Sequence, residues 1–339
     1  MPQRRIGTRD YALVPHRAIG QLAEQIYALT RLAFGSYAGV LVPSPEHRDW
    51  YVRRPGMDPD LSVAVLCGGT LVGNVFVTVA GVRLGGRVLP TGIVDTVMIH
   101  PAHRRLGLAR WALETAIAGM RDRGLAASLL YTVAGSMPAA LYGSLGYRAH
   151  APVRYYRGLP GAHGLPAGGR HARRLHPGEE EAARQFTDAC LARCDGSVPL
   201  GEALWRWRRQ ERPATLPADV WIVPGAGGWE GCAALCRAPI VTAAGGQEPC
   251  GVLTDLALVP GADVPRVLGA LLAAVPDGAE ARVLAAEADA ALCTACEGLG
   301  LAVAATETAM VLPLSDAAHA ALAAPQRPWA PLAESIIGV

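Results

Sequence analysis

A chain of 339 residues is longer than one ordinary hydrophobic core organises and suits two domains of roughly 150 residues each. Hydrophobic residues make up 51% and charged residues 18% of it, so both halves can bury a core and extended disorder is excluded. A net charge of +2, no uncharged apolar run of 18 residues and no apolar segment behind the basic start argue against nucleic acid, a membrane and secretion; the expected setting is the cytoplasm, with the eight cysteines as reduced thiols.

In chain order, a first strand precedes residues 18–34, AIGQLAEQIYALTRLAF, whose apolar residues recur at helical spacing. Residues 46–54 read as a short second helix carrying Trp50 and Tyr51. SVAVLCGGTLVGNVFVTVAGVRLGG reads as two strands joined by a Gly-Gly turn, and RVLPTGIVDTVMI as a longer strand ending at His100-Pro101. A helix over 107–121, a strand at 128–133, a short helix near 138–144 and a strand near 149–157 complete the order β-α-α-β-β-β-α-β-α-β. In it a meander feeds a right-handed crossover. PGAHGLPAGG, Pro160 to Gly169, is a Gly/Pro-rich linker and the clearest boundary.

The second half repeats this order. RHARRLHP is a strand, residues 178–193 and 202–209 are helices, and DVWIVP and CAALCRA are strands. GVLTDLALVP, Gly251 to Pro260, then aligns without a gap on GIVDTVMIHP, Gly92 to Pro101, and ACEGLGL at 295–301 matches LYGSLGY at 141–147. A repeat this long means two copies of one domain rather than a solenoid. The expected division is 1–159, a linker at 160–169, a degenerate copy at 170–316 and a tail at 317–339.

Between the strand ending at Pro101 and the helix that begins near Gly107 lie Arg104 and Arg105. The first N–H groups of a helix lack internal partners, a glycine lets an anion approach the backbone, and arginines add charge-assisted hydrogen bonds. That suits a pyrophosphate. The stretch is neither a P-loop, since no Gly-Lys-Ser/Thr follows, nor a dinucleotide fingerprint, since the three-glycine spacing is missing. The competing reading is a solvated helix start.

RRLGLA, Arg104 to Ala109, resembles the Arg/Gln-x-x-Gly-x-Gly/Ala acyl-CoA signature of the GNAT superfamily of N-acyltransferases. VMIHP resembles that family's strand end and LYGSLGY its tyrosine motif, all three in family order. A GNAT domain followed by a degenerate copy resembles the tandem acyltransferases, and LGGRVLPTGIVDTVMIHPAHRRLGLA and ALWRWRR resemble the enhanced-intracellular-survival acetyltransferases, without their sterol-carrier-like domain. The resemblance implies an α/β (α+β) fold class: two tandem GNAT folds, each a mixed, mostly antiparallel sheet flanked by helices.

It also implies a site. Acetyl-CoA, or another acyl-CoA, would be the co-substrate, with no metal. Its pyrophosphate would sit on Arg104, Arg105, Leu106, Gly107, Leu108, Ala109 and Arg110. Pantetheine would run along Val97, Met98 and Ile99, whose backbone N–H groups polarise the thioester carbonyl, and past Ser136, an expected helix cap. Tyr142 matches the family's general acid for the leaving thiolate. Asp95 is a candidate base from its position, on the same face as Val97 and Ile99 by strand alternation. In the second copy GADVPRVLGAL replaces the arginine and glycine, and Cys296 aligns with Tyr142, so that copy would wall the acceptor pocket and bind no acyl-CoA.

The acceptor would be a primary amine of a small molecule, an antibiotic or an amino-acid-derived metabolite, acetylated by direct attack. Its pocket is expected around residues 34–60, with Phe34, Tyr37 and Trp50 as walls and a few acidic groups. Alternatives are a non-catalytic acyl-CoA sensor and a GNAT enzyme using an aminoacyl or carrier-protein-bound donor. The expected assembly is a monomer or homodimer. The cysteine pairs 190/194, 232/236 and 293/296 fit small hydrophobes in an Ala-rich core better than zinc ligands, since no compact four-ligand spacing occurs.

Overall fold

The structure, a computed structural model, describes residues 2–34, 40–42, 44–160, 171–242 and 244–332. Where the sequence predicts a single first strand, there is a hairpin, β1 (Gln3–Ile6) and β2 (Arg9–Pro15). Next come α1 (Leu22–Phe34), α2 (Pro45–Val52), β3 (Val63–Cys67), β4 (Thr70–Leu84), β5 (Arg87–Ile99), α3 (Leu108–Asp122), β6 (Ala127–Val133), α4 (Met137–Ser144) and β7 (Arg148–Gly158). The second half holds β8 (Arg173–Arg174), α5 (Glu180–Leu191), α6 (Glu202–Arg209), β9 (Ala218–Gly225), β10 (Gly228–Val241), β11 (Gln247–Leu258), α7 (Val264–Leu272), β12 (Glu280–Ala286), α8 (Ala290–Gly298), β13 (Ala302–Pro313) and α9 (Asp316–Ala323).

Local chemistry explains most of these limits. Gly68 and Gly69 both take positive φ, as a two-residue hairpin turn between β3 and β4 requires. Ser44 and Ser136 cap α2 and α4 through their hydroxyls, each followed by a proline within the first two positions. The strand expected over RHARRLHP shrinks to two residues at the sheet edge. There Arg173 is drawn onto Glu179 and Arg174 onto Asp219 (2.7 Å each), and charged side chains on a short strand are how edges avoid further pairing. Of the expected linker, residues 161–169 lie outside the described residues.

The thirteen strands among the described residues form one sheet, in the order β1-β2-β3-β4-β5-β6-β13-β7-β12-β11-β10-β9-β8. It is antiparallel apart from β5·β6 and β11·β12. The final strands are exchanged: β13, from the end of the chain, pairs with β6, and β7 pairs with β12. Apart from the extra edge strand β1, the order reads the same outward from the central β13·β7 pair, which defines an approximate two-fold relation between the halves. Near that axis Trp50 of α2 and Trp207 of α6 stack with ring centroids 4.2 Å apart and planes 6° apart. Each indole N–H donates to the other residue's carbonyl, at 3.1 and 3.0 Å.

Two cores sandwich the first half of the sheet. One lies under α3 and α4 and includes Val65, Val77, Leu113, Ile117 and Leu130. The other lies under α1 and α2 and is shared with the second half through Ile26, Tyr51, Phe76, Trp207, Ile240 and Val252. After α9 the chain passes between the halves, where Ala330 N–H donates to Asp195 O at 2.8 Å and the Asp195 carboxylate accepts from Gly85 N at 2.8 Å. No helix among the described residues is long and apolar enough to cross a membrane.

Candidate functional site

The parallel ladder between β5 and β6 ends at Ile93↔Leu129. Beyond it β5 runs on to Ile99 against β4, while β6 runs on to Val133 against β13. The two strands therefore diverge from Val94 and Leu130 onward, and one edge of each is left without a neighbour inside the sheet. A narrow ligand segment can enter such a gap and bond the exposed backbone.

The N-terminus of α3 stands at the wide end of this gap. Its cap is Gly107, at φ 72°, with no side chain closing the first turn. The N–H groups of Leu108, Ala109 and Arg110 have no helical acceptors there, and a Cβ at Gly107 would meet nothing within 4 Å. Arg105 is exposed and itself holds a left-handed φ of 63°. Arg104 departs from the sequence reading, because its guanidinium turns back onto Ile99 O (3.1 Å) and Ala33 O (3.2 Å). It fastens the loop to the end of α1 while the side chain stays exposed. Arg110 reaches Ser144 Oγ at 2.5 Å, tying α3 to α4. Leu106 packs on the core below. In the second half the corresponding helix, α7, is closed: Asp263 caps it and accepts from Arg266 N at 3.2 Å, so a carboxylate occupies the place an anion would take.

Asp95 corrects the alternation argument. Phe76 lies opposite Asp95 and Asn74 opposite Met98, so the two residues Thr96 and Val97 share one partner position. Thr96 makes the bulge by adopting φ 48°. The extra residue reverses the faces: Val97 and Ile99 pack toward α3, whereas Asp95 lies with Phe76 and Met98 on the α1/α2 face. The same bulge recurs at Asp255 (φ 50°), the residue that the gap-free repeat aligns with Thr96.

Arg54, missed in the sequence, binds Asp95. Its Nη2 lies 2.6 Å from Asp95 Oδ2, its Nε donates to Thr78 Oγ1 at 2.7 Å and its Nη1 to Tyr51 O at 3.1 Å. Arg54 is 2% exposed and Asp95 22%, so the carboxylate alone of the pair reaches open space. In the second half Arg208 (2.7 Å) and Arg209 pair with Asp255. Burial opposes the charge of Asp255, and the guanidinium groups around it outweigh burial and hold its carboxyl below the usual range.

Tyr142 lies on the α3/α4 face, buried beside Tyr147 with ring centroids 6.0 Å apart. Burial, with the charge of Glu307 adding to it, pushes its phenol up to about 12. Tyr147 spends its own hydroxyl on Ser128 Oγ at 2.7 Å. Glu307 is a second carboxylate that sequence reasoning missed. It arrives on β13 from the far end of the chain, opposite Val133, and accepts from Tyr155 Oη at 2.7 Å. Burial raises its carboxyl above the ordinary range. Nothing local in TETAMVL marks it, because the strand exchange alone brings it to β6.

Of the expected acceptor walls, Trp50 borders an open groove of about 780 Å³ that also holds Glu24, Glu46 and Asp49 and does not include Asp95. Trp50 is 3% exposed and consumed by its stack with Trp207. Phe34 ends α1 against the shared core, and Tyr37 lies outside the described residues. The opening that does reach Asp95 is a cavity of about 280 Å³ between the halves, formed by β4, β5, α6 and the segment before α6.

Residues 20–149 match the family model described as acetyltransferase (GNAT) domain. No curated protein matches the sequence. Among solved structures, the chain is similar to a GCN5-related N-acetyltransferase from Anabaena variabilis (13% identity, 90% of this chain and 73% of that one, TM-score 0.63). It is also similar to Saccharomyces cerevisiae N-myristoyltransferase, solved with bound myristoyl-CoA and inhibitors (12% identity, 92% and 82%, TM-score 0.69). Residues 20–149 thus match a GNAT acetyltransferase domain, and the chain as a whole shares its fold with acyltransferases of known structure.

Proposed function

We propose that this protein is an acyl-CoA-dependent N-acyltransferase that transfers an acetyl group from acetyl-CoA to a primary amine of a small molecule by direct attack. The observation that supports this most is the uncapped N-terminus of α3 at the mouth of a sheet gap, set against the Asp263-capped α7 in the other half. In this reading the first-turn N–H groups of α3 and Arg105 receive the pyrophosphate, Arg104 holds the loop in shape, and the divergent edge of β5 at Val97, Met98 and Ile99 bonds pantetheine. Ser136, already engaged as the cap of α4, borders that path.

Bound acyl-CoA supplies an activated thioester. Tyr142, protonated throughout the neutral range, donates its O–H to the departing sulfur from the α3/α4 side. Asp95 accepts an N–H of the amine from the opposite face, directly or through water, with Arg54 fixing its orientation. The second half contributes no cofactor site; it supplies α6 and β13 as walls.

The test is release of free thiol from acetyl-CoA with a panel of primary amines. Turnover by the wild-type protein with at least one amine is expected. Tight acetyl-CoA binding with no thiol release for any amine would instead make the protein a non-catalytic acyl-CoA sensor.

A further inference from the structure

The cavity between the halves specifies more than its position. Thr78, Val79 and Ile93 of the β4–β5 floor, Val198, and Leu204 and Trp207 of α6 surround it, with Leu332 at one end. Its surface is chiefly hydrocarbon, and its polar groups are already committed. Arg54 gives its three nitrogens to Thr78, Tyr51 and Asp95, and Arg208 faces Asp255. The Asp95 carboxylate accepts from Arg54 at Oδ2 and from Thr96 Oγ1 at Oδ1 (2.7 Å), and it keeps a further lone pair on each oxygen and a partly open face at the edge of the gap between β5 and β6.

Resting on the acyltransferase reading above, we propose that the acceptor is a compact amphiphile, a single primary amine on an apolar aliphatic or aromatic body, with the nitrogen at Asp95 and the body against Trp207 and Leu204. At the packing density of protein interiors, about 280 Å³ holds roughly ten non-hydrogen atoms. A polyhydroxylated polycation fits poorly, since each extra hydroxyl or ammonium group enters an apolar enclosure without a partner and forfeits its hydration. This narrows the acceptor away from aminoglycosides.

The test uses the full-length protein and calorimetric titration with 2-phenylethylamine, n-hexylamine, hexan-1-ol and kanamycin, with acetyl-CoA titrated separately. The amines should bind one to one, at least tenfold more tightly than hexan-1-ol or kanamycin. Ala203→Trp places an indole over the mouth from an exposed position on α6, so the fold should survive, as thermal melting will verify. It should weaken both amines at least tenfold and leave acetyl-CoA binding unchanged. Kanamycin binding as tightly as 2-phenylethylamine, or amine affinity undiminished in a folded Ala203→Trp protein, overturns the proposal. Amine binding without thiol release would count against acyl transfer and leave the pocket assignment standing. Thiol release with kanamycin and not with the two amines would do the reverse.

Discussion

Burial and the Glu307 charge both disfavour the Tyr142 anion and raise its pKa, so the hydroxyl keeps its proton and, in the proposed reaction, can donate it to the leaving sulfur. Tyr142→Phe removes one oxygen from a buried ring. Acyl transfer should fall by about a hundredfold or more, with acetyl-CoA affinity unchanged, as single-turnover kinetics and titration would show. A second residue carries a pH dependence of stability. His16 packs edge-on against Phe76, and burial, with the Arg54 charge assisting, lowers its pKa to about 4. The unfolded chain takes up this proton near pH 6.5 and the folded protein only near 4, so across that window the unfolded state binds more protons. Stability therefore falls as pH is lowered from 7 to 4, by about 3 kcal/mol from this group. Measured by urea unfolding, the stability the wild type loses between pH 7 and pH 4 should exceed the loss in His16→Leu by that amount.

At the scale of elements, α3 and α7 occupy equivalent places and differ in how their first turns end. Gly107 reaches φ 72° without strain, and any β-branched residue there costs about 1–2 kcal/mol and stands over the free N–H groups. Gly107→Val should weaken acetyl-CoA at least tenfold by calorimetry. Asp263→Ala in α7 should cost about 1 kcal/mol of stability, the worth of a helix cap, and leave acetyl-CoA binding as it was. Equal losses of affinity in both variants would contradict a single cofactor site. The bulge belongs to this scale as well: one inserted residue in β5 turns Asp95 from the α3 face to the α1/α2 face. The alternating pattern of the strand holds no trace of it, since Thr at a left-handed φ is stabilised by the pairing around it and not by its own preference.

For the whole molecule, the exchange of β7 and β13 makes each half depend on the other. Residues 1–160 alone would leave β6 with an open edge where β13 pairs, and β7 without β12 and β13. Cleavage between Pro160 and His171 should leave two fragments that co-elute in size-exclusion chromatography, whereas 1–160 expressed alone should aggregate. Trp207→Ala removes a fully buried indole from the stack with Trp50 and two reciprocal hydrogen bonds. It should cost about 3–5 kcal/mol, read from chemical unfolding as one cooperative transition.

The sequence by itself determined the elements and the arginine–glycine turn before α3, because these are written locally. Hydrophobic period, Gly-Gly at the hairpin, serine before proline at two helix starts and Arg-x-x-Gly-x-Ala after a strand all act within a few residues of one another. Repetition of the order β-β-β-α-β-α-β was legible for the same reason. Tertiary structure alone decided which strand neighbours which, which face Asp95 occupies, that Arg54 pairs with Asp95 and Glu307 with Tyr155, and that Trp50 stacks on Trp207 between the halves. The pairs among those outcomes lie 41 positions apart in the chain for Arg54 with Asp95 and 157 for the two tryptophans. No local propensity encodes such distances; they follow from the burial gained when two incomplete sheets share their last strands.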